Sequence, residues 1–245
     1  MSRLVSGAAA IGIGTDVADD AELSRLEARL PPLLSVIAGM VDLTGFFTLG
    51  HIFTAHVTGN LVMAAAAAVH GGPFNMAQAL AIPVFMLAVA AVWLIAEASD
   101  RHGASLARLL LVVQSVLLAA LLIFSVITKP SADPFGVTAG VAVMIAVSAM
   151  ACQFALLRLA IPGAISTAVM TGNLTNTVLS LMDLLAKGRA LPSADAIRLK
   201  RSLHLLVGFL LGCVVAAVAV STLRDWAWSL PLVLSGAAIA LSAAK

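Results

Sequence analysis

Thr54-Ala55-His56-Val57-Thr58-Gly59-Asn60-Leu61 lies inside an apolar run, Leu33–Val69, that is too long to cross a membrane once and holds a single acid, Asp42. A bilayer's hydrocarbon core takes about 20 helical residues. At about 1.5 Å per residue the run would reach about 55 Å as one helix, so it must fold back. The same pattern recurs 113 positions on, as Thr167-Ala168-Val169-Met170-Thr171-Gly172-Asn173-Leu174. That copy sits in a second overlong run, Phe135–Leu185, whose only charges are Arg158 and Asp183. After each copy comes a polar break, at Gly71-Gly72-Pro73 and at Lys187-Gly188, and then two more apolar segments. These are Gln78–Ala98 and Leu106–Ile127 in the first half, Leu203–Leu223 and the short Ser229–Ala244 in the second.

The expected fold is therefore all-α, a polytopic membrane helix bundle of about six spans with a discontinuous or re-entrant helix at each Thr-Gly-Asn motif. A three-span unit crosses an odd number of times, so its second copy enters upside down, giving a 3+3 inverted repeat of the kind many secondary transporters use. Residues 33–128 form the first repeat and 135–245 the second. Residues 1–32 read as a cytoplasmic tail ending in a short interfacial helix, where Leu23, Leu26 and Leu30 recur at helical spacing before Pro31-Pro32.

Composition agrees with lipid as the main solvent. Of 245 residues, 61% are hydrophobic and 11% charged, against about 45–50% and about 25% in soluble domains. The net charge of +2 is not gathered on one face, which argues against a nucleic-acid partner. The basic residues instead sort by side. With the N-terminus cytoplasmic and six spans, Arg3, Arg25, Arg29, Arg101, Arg108, Lys187, Arg189, Arg198, Lys200, Arg201 and Lys245 lie inside; Lys129 and Arg224 lie outside. Two full hairpins in the overlong runs, giving eight spans, would move Arg101 and Arg108 outside and weaken that asymmetry. Cys152 and Cys213 both fall in apolar segments with no ligand spacing, so neither a metal nor a disulfide framework is expected.

Two strings resemble the YoaK-like family of bacterial membrane proteins. The first is Ala38-Gly39-Met40-Val41-Asp42 with Leu49 through Asn60. The second is Cys152-Gln153, Arg158 and Thr167 through Thr175. The resemblance runs from about Leu33 to the C-terminus. It implies a multi-pass protein of the bacterial inner membrane and a small-molecule transporter of unstated substrate. Where that family often has Gln-Asn, this chain has Gln153-Phe154.

The candidate site residues follow from cost. An acid near the bilayer midplane costs about 2.5–3.5 kcal/mol, so Asp42 should face protein or water as a proton-coupling or solute-contact group. Arg158 is its charge partner by sign, although it could also snorkel at a helix end. His51 and His56 fall near the predicted break, where lining or capping suits them better than metal binding. Thr58 and Asn60, with Thr171 and Asn173, can satisfy and cap backbone that leaves helical geometry, while Gly59 and Gly172 relieve its steric cost and allow a close backbone approach. Gln153 adds a buried amide, and Asn173, Asn176 and Ser180 share a face at i, i+3, i+7. That face either lines a cavity or holds helices together.

No GxxxxGK[ST], HExxH or GxSxG string occurs, which removes an ATP-driven pump and the common hydrolases. The expected function is secondary transport of an unidentified small solute, with or without proton coupling, and with no enzymatic activity and no cofactor. A passive channel and a non-catalytic scaffold are the alternatives. Lipid and a homo-oligomeric partner complete the expected contacts.

Overall fold

The structure is a computed structural model that describes residues 5–70, 75–187 and 193–243. The tail residue Arg3, the breaks at Gly71-Gly72-Pro73 and Gly188, and Lys245 lie outside the described residues. Eight helices are described: α1 (Val5–Thr48), α2 (Val57–His70), α3 (Met76–Ser99), α4 (Gly103–Thr128), α5 (Val137–Ala160), α6 (Met170–Lys187), α7 (Ser193–Leu223) and α8 (Ser229–Ala243). Short 3-10 turns, Pro130–Ala132 and Arg224–Trp228, join α4 to α5 and α7 to α8. No strand occurs among the described residues.

Both overlong runs break. The first leaves helical geometry at Gly50 (φ 78°) and His51 (φ 59°) and resumes at Val57. The second stops at Ala160 and resumes at Met170. Among the described residues, five stretches are long and apolar enough to span a membrane: Ala21–Thr48, Met76–Ser99, Gly103–Thr128, Val137–Ala160 and Asp195–Ala243. The last of these turns at Arg224–Trp228 and returns as α8. With 14 residues, α2 reaches only about 21 Å, too short for a second crossing.

Side-chain contacts fix the helix directions. Arg108, near the start of α4, pairs with Glu22 of α1, and its Nε donates to the Ser242 carbonyl at the end of α8 (2.7 Å). At the other end, Ser131 Oγ donates to Asp225 Oδ2 (2.6 Å), joining the two 3-10 turns. His51, just past α1, meets Phe135 of the α5 approach at that same end. The helices α1, α3, α4, α5, α7 and α8 therefore alternate in direction. The halves interlock, with α1 packed on α7 and α3 on α5.

Two expectations need correction. The chain does not break at Pro31-Pro32: α1 runs through both prolines. Leu26 and Leu30 belong to the core, not to an interfacial surface. Proline removes a helical donor, but neighbouring helices in a membrane bundle can re-satisfy the freed groups. Just past the prolines, Ser35 Oγ donates to the Leu205 carbonyl (2.5 Å) and ties α1 to α7.

The outside of the bundle is apolar. Val137, Leu87 and Val62 are among its most exposed side chains. Helix α6 is inside-out relative to a soluble amphipathic helix: Leu174, Val178, Leu179, Leu181, Met182 and Leu185 face outward, while Asn173, Asn176 and Ser180 turn inward. That order suits a lipid solvent.

Candidate functional site

Asp42 sits in the last third of α1 and is buried. The fold-back returns the chain beside it, so the carboxylate receives three bonds. Its Oδ1 accepts the backbone N–H groups of Thr54 (2.7 Å) and Ala55 (2.9 Å). Its Oδ2 lies 2.7 Å from His56 Nδ1. An ionised carboxylate can only accept, so Nδ1 carries the proton in that pair and Nε2 is left available. Charge-assisted bonds of this kind contribute about 1.5–3 kcal/mol each, enough together to offset the burial of the acid.

His56 is half-buried and its ring packs edge-on to Phe209 of α7, centroids 5.1 Å apart. It lies between α1 and α2, outside the five spanning stretches. Its hydrogen bond to Asp42 raises its pKa above the ordinary imidazole value; partial burial opposes this, and the carboxylate's charge adds to the rise.

The Thr-Gly-Asn motifs form the first turns of α2 and α6. Asn60 reaches back seven positions: its Oδ1 accepts from Phe53 N–H (2.9 Å) and its Nδ2 donates to the Phe53 carbonyl (2.7 Å). Asn173 donates to the Ser166 carbonyl at the same spacing (3.0 Å). Each asparagine thus ties its own approach loop to the helix it opens. Thr58 and Thr171 are exposed, and Gly59 and Gly172 are half-buried. Just before each motif lies a buried threonine, Thr54 and Thr167, whose hydroxyl has no partner among the described residues.

Other candidates scatter. Arg158 is exposed at the end of α5 and is not the partner of Asp42; the sign rule chose a charge that the fold keeps away, and His56 takes the place. Gln153 is fully buried and consumed, donating to the Leu34 carbonyl (2.9 Å) and accepting from Gln114 (2.8 Å). Its neighbour Phe154 packs against Phe85. Asn176 accepts from Arg198 of α7 (3.1 Å), a link between α6 and α7. His51 is exposed at the break, between the rings of Phe46 and Phe135. No group of three or more metal-ligating side chains occurs among the described residues.

Sequence reading overlooked Asn75 and Gln78. Both are buried beside His51 at that end of the bundle. Two amides flanking the start of an apolar span were the available signal.

The sequence pattern of the family described as "Protein of unknown function (DUF1275)" matches residues 30–241. The chain belongs to this family. Over 31 residues it is 55% identical to "UPF0700 transmembrane protein YoaK" of Bacillus subtilis (strain 168). That match covers 13% of this chain and 14% of that protein's length. No solved structure matches. With its apolar helices and a relative described as transmembrane, this DUF1275 member is a multi-pass membrane protein.

Proposed function

We propose that this DUF1275 member is a secondary transporter of a small solute in a bacterial inner membrane, built from two three-span units inserted in opposite senses. The observation that carries this reading is the pair of fold-back helices. α2 and α6 begin at matching sequence positions, and each is tied by an asparagine to the residue seven positions earlier. The first fold-back follows a helix running one way and the second a helix running the other. Discontinuous helices related in this way frame the solute site in many carriers, and rocking of one unit against the other exposes that site to each side in turn.

The units differ where a coupling group is needed. Asp42 and His56 have Ala155 and Val169 at the matching positions. One titratable pair set into one of two otherwise similar fold-backs suits a proton that biases a two-state exchange. Solute binding would favour one protonation state of the pair, and by linkage the proton would change solute affinity by the same factor. In this reading Asp42 and His56 carry protons and do no catalysis.

The test begins with a metabolite comparison between cells lacking and overproducing the protein, followed by uptake of the solute so found into reconstituted vesicles. Accumulation driven by an imposed pH gradient and abolished by an uncoupler supports the carrier. Equilibration that ignores the uncoupler indicates a passive channel, and no flux at all leaves a scaffold.

A further inference from the structure

The end of the bundle that holds Gly50, read above as the outer one, contains a cavity of about 360 Å³ between the first fold-back and the start of α3. Gly50, His51, His70, Asn75, Gln78 and Phe135 are among its lining residues. We infer that this cavity is a binding site for a small uncharged solute presenting a hydrogen-bond donor and acceptor side by side, such as an amide or a lactam-type heterocycle.

Gln78 carries the argument. It is 6% exposed, and its carboxamide makes no hydrogen bond among the described residues. The other buried glutamines, Gln114 and Gln153, bond to each other. Buried amides are normally paired, so one left open toward a cavity is placed for a ligand.

The neighbouring groups narrow the ligand class. Asn75 is occupied, with Oδ1 accepting from Ala77 N–H (3.0 Å) and Nδ2 facing the Gly50 carbonyl (3.5 Å). His70 Nδ1 lies 3.1 Å from the Ala66 carbonyl, which fixes the proton there and leaves Nε2 as an acceptor. None of the described lining residues carries a fixed charge, and Phe135 offers an aromatic wall. A carboxamide, an acceptor imidazole and a phenyl ring suit a planar neutral solute with adjacent N–H and C=O. A carboxylate or an ammonium ion would find no fixed counter-charge.

As the entry station of a carried solute, the cavity rests on the transporter reading; as a binding site it does not. The experiment therefore measures binding alone. Melting of the detergent-solubilised full chain is followed with 2-pyrrolidone, acetamide and uracil. Cyclopentanone, which lacks the N–H, serves as control, together with acetate and Zn²⁺. A ligand of the native state raises Tm saturably. The expected result is that at least one amide does so, with 2-pyrrolidone acting at about one-tenth or less of the cyclopentanone concentration, because a site built to hydrogen-bond rejects the analogue that cannot.

Gln78→Leu and the unbranched Gln78→Met should each abolish the shift while leaving the unliganded Tm equal or higher, since no protein partner is lost. A shift with Zn²⁺ or acetate alone would overturn the proposal in favour of a metal or anion site. So would no shift with any amide, or a lower unliganded Tm in both variants, which would make the amide structural. Binding without uptake into vesicles would leave the site standing and remove only the carrier.

Discussion

Asp42 does two jobs through two oxygens, and substitutions can separate them. Asp42→Ala strands the N–H groups of Thr54 and Ala55, at about 1–3 kcal/mol for each buried donor left unpaired. Asp42→Asn keeps an acceptor for both through its Oδ1, but sets an amide N–H donor where Oδ2 accepted, so it removes the charge and the hydrogen bond from His56 Nδ1–H. The expected outcome is a folded Asn variant that no longer accumulates solute under a pH gradient, and an Ala variant with a clearly lower Tm. If Asp42→Asn accumulates like the parent, the acid is structural alone. His56 supplies a separate test with a definite sign. Its pKa is raised in the folded state, so its contribution is present below the ordinary imidazole range, about 6.5, and is lost as pH rises through the raised value. The parent's Tm should fall across that alkaline window, and His56→Gln should flatten the fall. Asp42 was legible because a lone acid in an apolar run stands out. Its partner was not, because charge sign selects Arg158, whereas position 56 meets position 42 only after the chain folds back through Gly50 and His51.

Among the helices, the glycines that matter are not those of the repeated motif. Gly59 and Gly172 were expected at a close backbone approach. A Cβ on Gly59 would meet the Phe53 ring (3.0 Å), and one on Gly172 the Val169 methyl (2.9 Å), both local side chains. Neither glycine has a positive φ. The close approach is instead between α1 and α7. A Cβ on Gly39 would strike the Phe209 carbonyl, and one on Gly212 the Val36 carbonyl, with Gly208 one turn before it against the Pro32 carbonyl (2.9 Å). Gly208 and Gly212 form a GxxxG pair, the spacing that lets membrane helices touch backbone to backbone. Gly39→Ala and Gly212→Ala should each cost about 1–3 kcal/mol by overpacking, seen as lost monodisperse protein in detergent, while Gly59→Ala stays near the parent. Equal tolerance of all three would refute the tight crossing. The fold-backs were legible because length and hydropathy forbid a single helix there. The α1–α7 crossing was not, since GxxxG names a helix face without naming the helix it meets, and nothing local pairs residue 39 with residue 212. The continuous passage of α1 through Pro31-Pro32 was hidden for the same reason.

For the molecule as a whole, inversion and orientation make separate claims that one labelling experiment can resolve. The positive-inside rule, applied to Arg101 and Arg108, predicts the α3–α4 turn in the cytoplasm and the 3-10 turn at Ser131 outside. If the two units are inverted copies, α2 returns to the outer end and α6 to the inner end. Val69 and Leu185, both exposed near the ends of these helices, then report opposite sides. Single cysteines at Gly103, Ser131, Val69 and Leu185 would be introduced into a chain in which Cys152 and Cys213 are replaced. Serine suits position 152, whose Sγ points at the Leu110 carbonyl (3.3 Å). An impermeant maleimide should label positions 131 and 69 in cells whose outer layer alone is permeabilised, and positions 103 and 185 only after the inner membrane is opened. Labelling of 69 and 185 from the same side would abolish the inverted repeat and leave the orientation intact. Labelling of 103 from outside would reverse the orientation and leave the repeat intact, because the two fold-backs would still open to opposite sides.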